Sequence, residues 1–246
     1  MAVLAAAGFG GMPAQAGGAL TDYRLLVLDG QRAKWGSPVL GTGVNLTYAV
    51  ADAPVHTVAA INCPDIVPID GLLTASRVDR RTFDAQVDAA FAAWADAADI
   101  DFRRVADPTT ADIVIGAQAI SNGHAFTNVA LRQPSAGRTI NVAAVSGSIA
   151  HSIICLNPKQ SWKVGFDGNL NAFDLRFTLL HEIGHAIGLD HPDSPNAVMD
   201  YHYTEAFSTL QPGDISGVVA LYGPRNPIAT VAATPPTPWI AAVSTR

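Results

Sequence analysis

The eleven residues HEIGHAIGLDH at positions 181–191 hold three of the chain's seven histidines and one of its two glutamates. No other stretch restricts the fold as tightly. His181 and His185 stand four apart, a spacing that on a helix stacks both imidazoles on one face, where they can grip a single metal ion. Gly188 has no Cβ and can take the left-handed conformation that stops the helix and turns the chain back. That turn lets His191 approach the same ion from outside the helix. Three neutral nitrogens around Zn2+ leave the fourth position for water, the open geometry of a catalytic site. A structural site is closed by a fourth side chain, usually Cys, and none is nearby. Glu182 sits beside the first ligand, placed to take a proton from a zinc-bound water whose pKa falls to about 7. At this chain's own residue frequencies the full pattern arises by chance at roughly one starting position in 10⁷ to 10⁸.

Periodicity places this motif among other elements. TFDAQVDAAFAAWADAA (82–98) reads as an amphipathic helix in which Phe83, Val87, Phe91, Trp94 and Ala98 share a face, with Thr82 as N-cap and Asp84 in the first turn. NLTYAV (45–50) alternates as a strand does, and IDFRRV (100–105) and DIVIGA (112–117) add two more. The region 118–170, rich in Gly, Ser, Asn and Pro, holds strands at TINVAAV (139–145) and HSIICL (151–156) between loops. A second helix begins near Asn171 to Asp174 and runs through the motif to Gly188. A third, PGDISGVVALYG (212–223), has Pro212 near its start and Gly223 at its end. Strands grouped ahead of helices predict an α+β fold.

Composition excludes several classes. With 49% apolar and 15% charged residues the chain forms a packed core rather than staying disordered. A net charge of −6 and the lack of a long basic run argue against a nucleic-acid surface. RVDRR (77–81), broken by Asp79, reads as a solvated face. Past the N-terminus no stretch approaches the roughly 20 apolar residues that a membrane span needs. Residues 1–18 end near Ala14-Gln15-Ala16, the small-x-small pattern of signal-peptidase sites, but carry no basic residue ahead of the apolar run. They read as a partial signal peptide or leader, which makes a secreted, extracellular or periplasmic location the expectation. Cys63 and Cys155 can pair in an oxidising compartment or remain buried thiols. Residues 224–246 are Pro-rich, with little periodicity, and read as a tail.

The motif HExxHxxGxxH, its GLDH ending and Met199, eight residues past His191, resemble a metzincin zinc endopeptidase of the matrixin branch. The likeness extends in order over 45–223, through LTYAV, VDAAFAAWADAADIDFRRV, ADIVIGA, IICLNPKQSW and LQPGDISGVVALYG. It implies a twisted, mostly antiparallel five-stranded sheet with three helices, the active-site helix carrying HExxH. The substrate cleft would lie between the sheet's edge strand and the Met-turn segment. By resemblance 45–223 is the catalytic domain, preceded by an N-terminal segment at 19–44. Its activity would be hydrolysis of peptide bonds in proteins, with zinc on His181, His185 and His191, Glu182 as the base and Met199 as a floor beneath the ion. Protein or peptide substrates are implied, and a monomer is expected. The alternatives are a catalytically silent zinc-containing binding module and a narrow-specificity processing peptidase.

Departures from the family pattern are informative. Positions matching a calcium site are Asn157, Lys159 and Gln160, which argues against that ion. For a second, structural zinc only His124 and His151 are available, and lone histidines are usually ordinary packed or surface residues. The first of two paired aspartates in the last helix is Gly213, leaving Asp214. Tyr201 stands where matrixins place Pro; sister metzincins have a Tyr at this spacing that acts as a fifth zinc contact or a transition-state hydrogen-bond donor. Tyr203 matches the aromatic that walls the family's S1′ pocket.

Overall fold

A computed structural model of the chain describes residues 22–57, 63–132 and 146–225. The leader expected at 1–18 and the strand expected at 139–145 lie outside these residues, as does all but the first two residues of the tail expected at 224–246. In chain order the strands are β1 (Arg24–Leu25), β2 (Val27–Leu28), β3 (Gln31–Lys34), β4 (Val44–Val50), β5 (Val55–His56), β6 (Asp65–Val67), β7 (Ile100–Arg104), β8 (Ile113–Gln118), β9 (Ala125–Leu131), β10 (Ser146–Leu156), β11 (Trp162–Lys163), β12 (Phe173–Asp174) and β13 (Leu189–Asp190). The helices are α1 (Asp70–Ser76), α2 (Arg80–Ala97), α3 (Leu175–Ala186) and α4 (Pro212–Tyr222).

The class is α+β, as the element order predicts, but the strand directions differ from the expectation. β7, β4, β8 and β10 lie side by side in parallel, and only β9, at the edge beyond β10, runs antiparallel within this central set. The expectation of a mostly antiparallel five-stranded sheet is therefore corrected; with the short strands, nine are linked among the described residues. The physical reason is the connection between β4 and β7. It contains α1 and α2, and a crossover of that length is what parallel neighbours require. Strands buried on both faces read as continuous apolar runs. Ile113, Ile115, Ile154 and Leu156 enter the core beneath the helices, while Val114, Ile153 and Cys155 enter a smaller cluster on the opposite face. Cys63 and Cys155 form a disulfide within that second cluster.

Helix α2 buries Phe83, Val87, Phe91 and Trp94 against α3 and the sheet, and Trp94 Nε1 donates to the Leu180 carbonyl at 3.0 Å. Its N-cap is Asp79 rather than Thr82: the Asp79 carboxylate accepts from both the Thr82 backbone N–H and its hydroxyl. The helix thus starts at Arg80, two residues before the expected start at Thr82. Among the described residues there are four α-helices rather than three, the addition being the seven-residue α1.

Residues 22–44 pack into the same core as the rest. β3 pairs in parallel with β10, and Trp35 Nε1 donates to the Ala186 carbonyl at 2.8 Å. β2 and β3 form a hairpin whose two-residue turn, Asp29-Gly30, has φ of 50° and 74°. That is the paired positive-φ turn suited to the twist of a hairpin.

Candidate active site

Helix α3 is set by Asp174, whose carboxylate accepts from the Phe177 N–H at 2.8 Å, and by the burial of Leu179, Leu180, Ile183 and Ala186. These residues face inward, so His181 and His185 project together on the opposite side. The helix closes at Ile187, and Gly188 takes φ 103°. A Cβ there would collide with the Ala33 carbonyl, so glycine is required both for the turn and for the approach of the N-terminal hairpin. The carbonyls of Ala186, Ile187 and Gly188, freed as the helix ends, find donors: Trp35 Nε1 and Ser152 Oγ on Ala186, Tyr222 Oη on Ile187 and the Leu26 N–H on Gly188. β13 then carries the chain to His191.

The Nε2 atoms of His181, His185 and His191 form a triangle with all three sides 3.1 Å. The Nδ1–H of His181 donates to the Val198 carbonyl at 2.8 Å and that of His185 to the Leu189 carbonyl at 2.9 Å. With those hydrogens committed, the Nε2 lone pairs converge on one point, an arrangement suited to a cation held at the 2.0–2.1 Å or so typical of zinc–nitrogen bonds. Burial holds all three imidazoles below their usual pKa, His185 furthest, so they are neutral at pH 7 as ligation requires. Among the described residues this is the one group of three or more His, Cys, Asp or Glu whose donor atoms cluster in this way. The donor set fits a single zinc ion.

Glu182 is buried beside this triangle. Burial pushes its carboxyl up to about 7, while the Thr127 hydroxyl and His191 pull it back part of the way. The Thr127 hydroxyl lies 2.7 Å from Glu182 Oε2 and 3.0 Å from the Glu182 backbone carbonyl. Thr127 was not among the residues that sequence reasoning selected, because it reaches the helix from β9, across the cleft. A carboxyl that titrates near neutrality can both accept and return a proton.

Met199 is buried beneath α3, and a Cβ at Gly184 would collide with its sulfur, so Gly184 lets the methionine press against the turn between His181 and His185. The segment carrying it hangs on Asp214, whose carboxylate accepts from the backbone N–H groups of Val198, Met199 and Gln211 at 2.9, 3.1 and 2.7 Å. One aspartate thus does this work, and Gly213 leaves room for the chain at Asp22, whose carbonyl a Cβ would strike.

These elements border a cleft of about 680 Å3 along β9, which among the described residues is paired on one side only, with β10. Tyr203 forms part of its wall with Phe173 and Phe177, at ring separations of 5.1 and 5.3 Å. Its hydroxyl accepts from the Asp174 N–H and donates to Glu205, which in turn pairs with Lys163. Tyr201 stands at the rim, 68% exposed, its ring 6.2 Å from that of His191 and tilted against that of His202 at 3.7 Å. His124 packs on Phe173, and His151 is half-buried on β10, so the structure does not bring these two together with the other histidines.

Similarity to known proteins agrees with this construction. A family model described as matrixin matches residues 72–223. The chain is 31% identical over 147 residues to a probable matrix metalloproteinase 095L of Invertebrate iridescent virus 3, covering 58% of this chain and 38% of that protein. It is 32% identical over 155 residues to matrilysin of Mus musculus, covering 61% and 55% respectively. With metalloendoproteinase 1-MMP of Arabidopsis thaliana the identity is 31% over 154 residues, covering 55% and 36%. The chain thus spans between about a third and a little over half of the length of these curated relatives. The family match takes in four of the five central strands, the helix that carries the three-histidine triangle and the segment that supports it, and on that basis the chain belongs to the matrixin family of metzincins.

Proposed function

We propose that this chain is a zinc-dependent endopeptidase that hydrolyses peptide bonds of proteins. The observation that carries the reading is the triangle of neutral Nε2 atoms with a buried, near-neutral carboxyl beside it, opening on a cleft along a strand edge. His181, His185 and His191 hold the zinc. The bound ion supplies Lewis-acid chemistry, acidifying a water and polarising the substrate carbonyl. Glu182 takes the proton from the attacking water and returns it to the leaving amine. Thr127 holds Oε2 of that carboxylate, so Oε1 is the oxygen left to exchange protons. The substrate adds as an extended strand along β9, and the Phe173–Phe177–Tyr203 wall receives the side chain that follows the scissile bond. Met199 packs under the ligand helix as its floor. Tyr201, at the rim beside His191, serves as a hydrogen-bond donor to the transition state or as a fifth zinc contact, a role read by Tyr201→Phe. The disulfide supports a secreted location, and no helix among the described residues is long and apolar enough to cross a membrane.

The test is digestion of an unfolded protein by zinc-loaded wild type and Glu182→Ala in parallel, with bound zinc measured in both. Cleavage by wild type alone, at equal zinc content, is expected. Equal cleavage by both would remove Glu182 from the mechanism, and cleavage by neither would favour a zinc-containing binding module.

A further inference from the structure

We infer that Leu26 and Leu28, on the N-terminal hairpin, form an apolar subsite for substrate residues on the N-terminal side of the scissile bond. The inference rests on the endopeptidase reading and adds a selectivity to it. Both leucines line the same cleft as His185, Asp190 and His191, and Val129 of β9 lines it with them. They lie outside the stretch 72–223 that matches the family model.

The hairpin is fixed to the catalytic helix. The Leu26 N–H donates to the Gly188 carbonyl at 2.8 Å, and β1 pairs antiparallel with β13, matching Arg24 to Asp190 and Leu25 to Leu189. Arg24 adds an ion pair to Asp190 at 3.2 Å, and the Asp190 carboxylate also accepts from the His191 N–H. The position of Leu26 is therefore tied directly to the chain that delivers His191.

Its place along the cleft identifies the substrate half that it meets. Phe177 lies in the first turn of α3 and Ala186 is its last residue, and nine residues at helical rise separate them by about 13 Å. Phe173, Phe177 and Tyr203 occupy the first end, and the hairpin the second. β9 runs the same way: His124, just ahead of it, packs on Phe173 at 4.3 Å, while Val129 lies further along the strand. A peptide added antiparallel to β9 lays its C-terminal half against His124 and Phe173 and its N-terminal half against Val129, Leu26 and Leu28.

The chemistry of the walls selects the ligand. Leu26, Leu28 and Val129 are each half-buried and offer only hydrocarbon to the cleft. The charges beside them, Arg24 and Asp190, neutralise each other. An apolar substrate side chain gains burial there, and a charged or amide side chain loses hydration without gaining a hydrogen bond from these three side chains.

The experiment uses two fluorescein-labelled nonapeptides with a common C-terminal half and either three Leu or three Asn in the N-terminal half. Their binding to zinc-loaded Glu182→Ala protein is measured by fluorescence anisotropy, which needs no turnover. The Leu peptide should bind about 10-fold more tightly. Leu26→Asn/Leu28→Asn in the same background should bring the two peptides within about 2-fold, while Leu28→Met, which keeps the apolar volume, should preserve the preference. In parallel, cut sites in a peptide library should show apolar enrichment before the scissile bond for wild type. That enrichment should be lost in Leu26→Asn/Leu28→Asn, with selection after the bond retained. Equal binding of the two peptides by the parent, or an unchanged preference in the double variant, overturns the subsite. Leu-selective binding without any cleavage by wild type would overturn the endopeptidase reading and leave the subsite standing.

Discussion

Glu182, His181 and His185 lie within five consecutive residues of one helix, and each has a side-chain hydrogen-bond partner on another segment of the chain. Leu26 and Leu28, at one end of the same cleft, come from a hairpin far upstream and offer hydrocarbon to it. The centre is held by directed hydrogen bonds in a buried setting, where losing one partner strands the other. The hairpin end works through contact area, which degrades gradually. Mutations at the centre should therefore abolish or sharply reduce chemistry, and mutations at the hairpin should change selection and stability by smaller steps.

The largest effect belongs to the ligands. His185→Ala removes one corner of the triangle, and we expect loss of stoichiometric zinc and of all measurable proteolysis, while far-ultraviolet circular dichroism is retained. Removing zinc from wild type with a chelator should have the same effect, and adding zinc back should restore wild type alone. Full zinc content in His185→Ala would break the claim that the centre is a three-histidine site.

Next comes the support of the proposed base, Glu182. Thr127→Val keeps the shape of the side chain and deletes the hydrogen bond to Glu182 Oε2. Loss of such a supporting partner costs about 10- to 100-fold, and we expect it in kcat with KM little changed. Thr127→Ser should recover most of the rate because it restores the hydroxyl. Equal losses in Val and Ser variants would point to packing instead.

Two glycines sharpen the contrast in stability. At Gly184 a Cβ meets the Met199 sulfur and, at 3.0 Å, Trp94, so Gly184→Ala must displace the floor of the centre. We expect a loss of about 1–3 kcal/mol by denaturant titration, with weakened zinc binding. At Gly30 nothing lies within 4 Å, and the cost of Gly30→Ala is confined to φ 74°, about 1 kcal/mol, with zinc binding unchanged.

The same division explains what could be read from the sequence. His181, His185, Glu182 and the Gly188 turn are related by helix geometry over a few residues, so their spacing carries their arrangement. Met199 and Tyr203 were reached through family likeness. The mostly antiparallel sheet was implied by family likeness, whereas the doubly apolar runs around Val114–Ile115 and Ile153–Ile154 carry the signal of the parallel strands that form. The hairpin left a local signature as well: Asp29-Gly30 between LLVL and QRAK is a strong two-residue turn signal. Thr127 left none, since its link to Glu182 exists only once β9 lies beside α3.

The smallest predicted effect tests how the hairpin region is anchored. Lys34 of β3 is enclosed, its ammonium donating to the Trp35 carbonyl and to the carbonyl and hydroxyl of Thr42, above the Tyr222 ring. Burial lowers its pKa from 10.5 to about 8. Between those values the unfolded chain binds more protons than the folded one, so the contribution of Lys34 to stability rises with pH through that interval and is constant below it. Urea titrations at pH 8 and 9 should show wild type gaining on Lys34→Met, by less than about 1.4 kcal/mol per pH unit. A difference that does not change with pH would mean that the three oxygen acceptors and the ring offset the burial of the charge completely. The hairpin region would then be held as the centre is, by directed polar contacts, and the contrast between the two regions would narrow to the cleft surface itself.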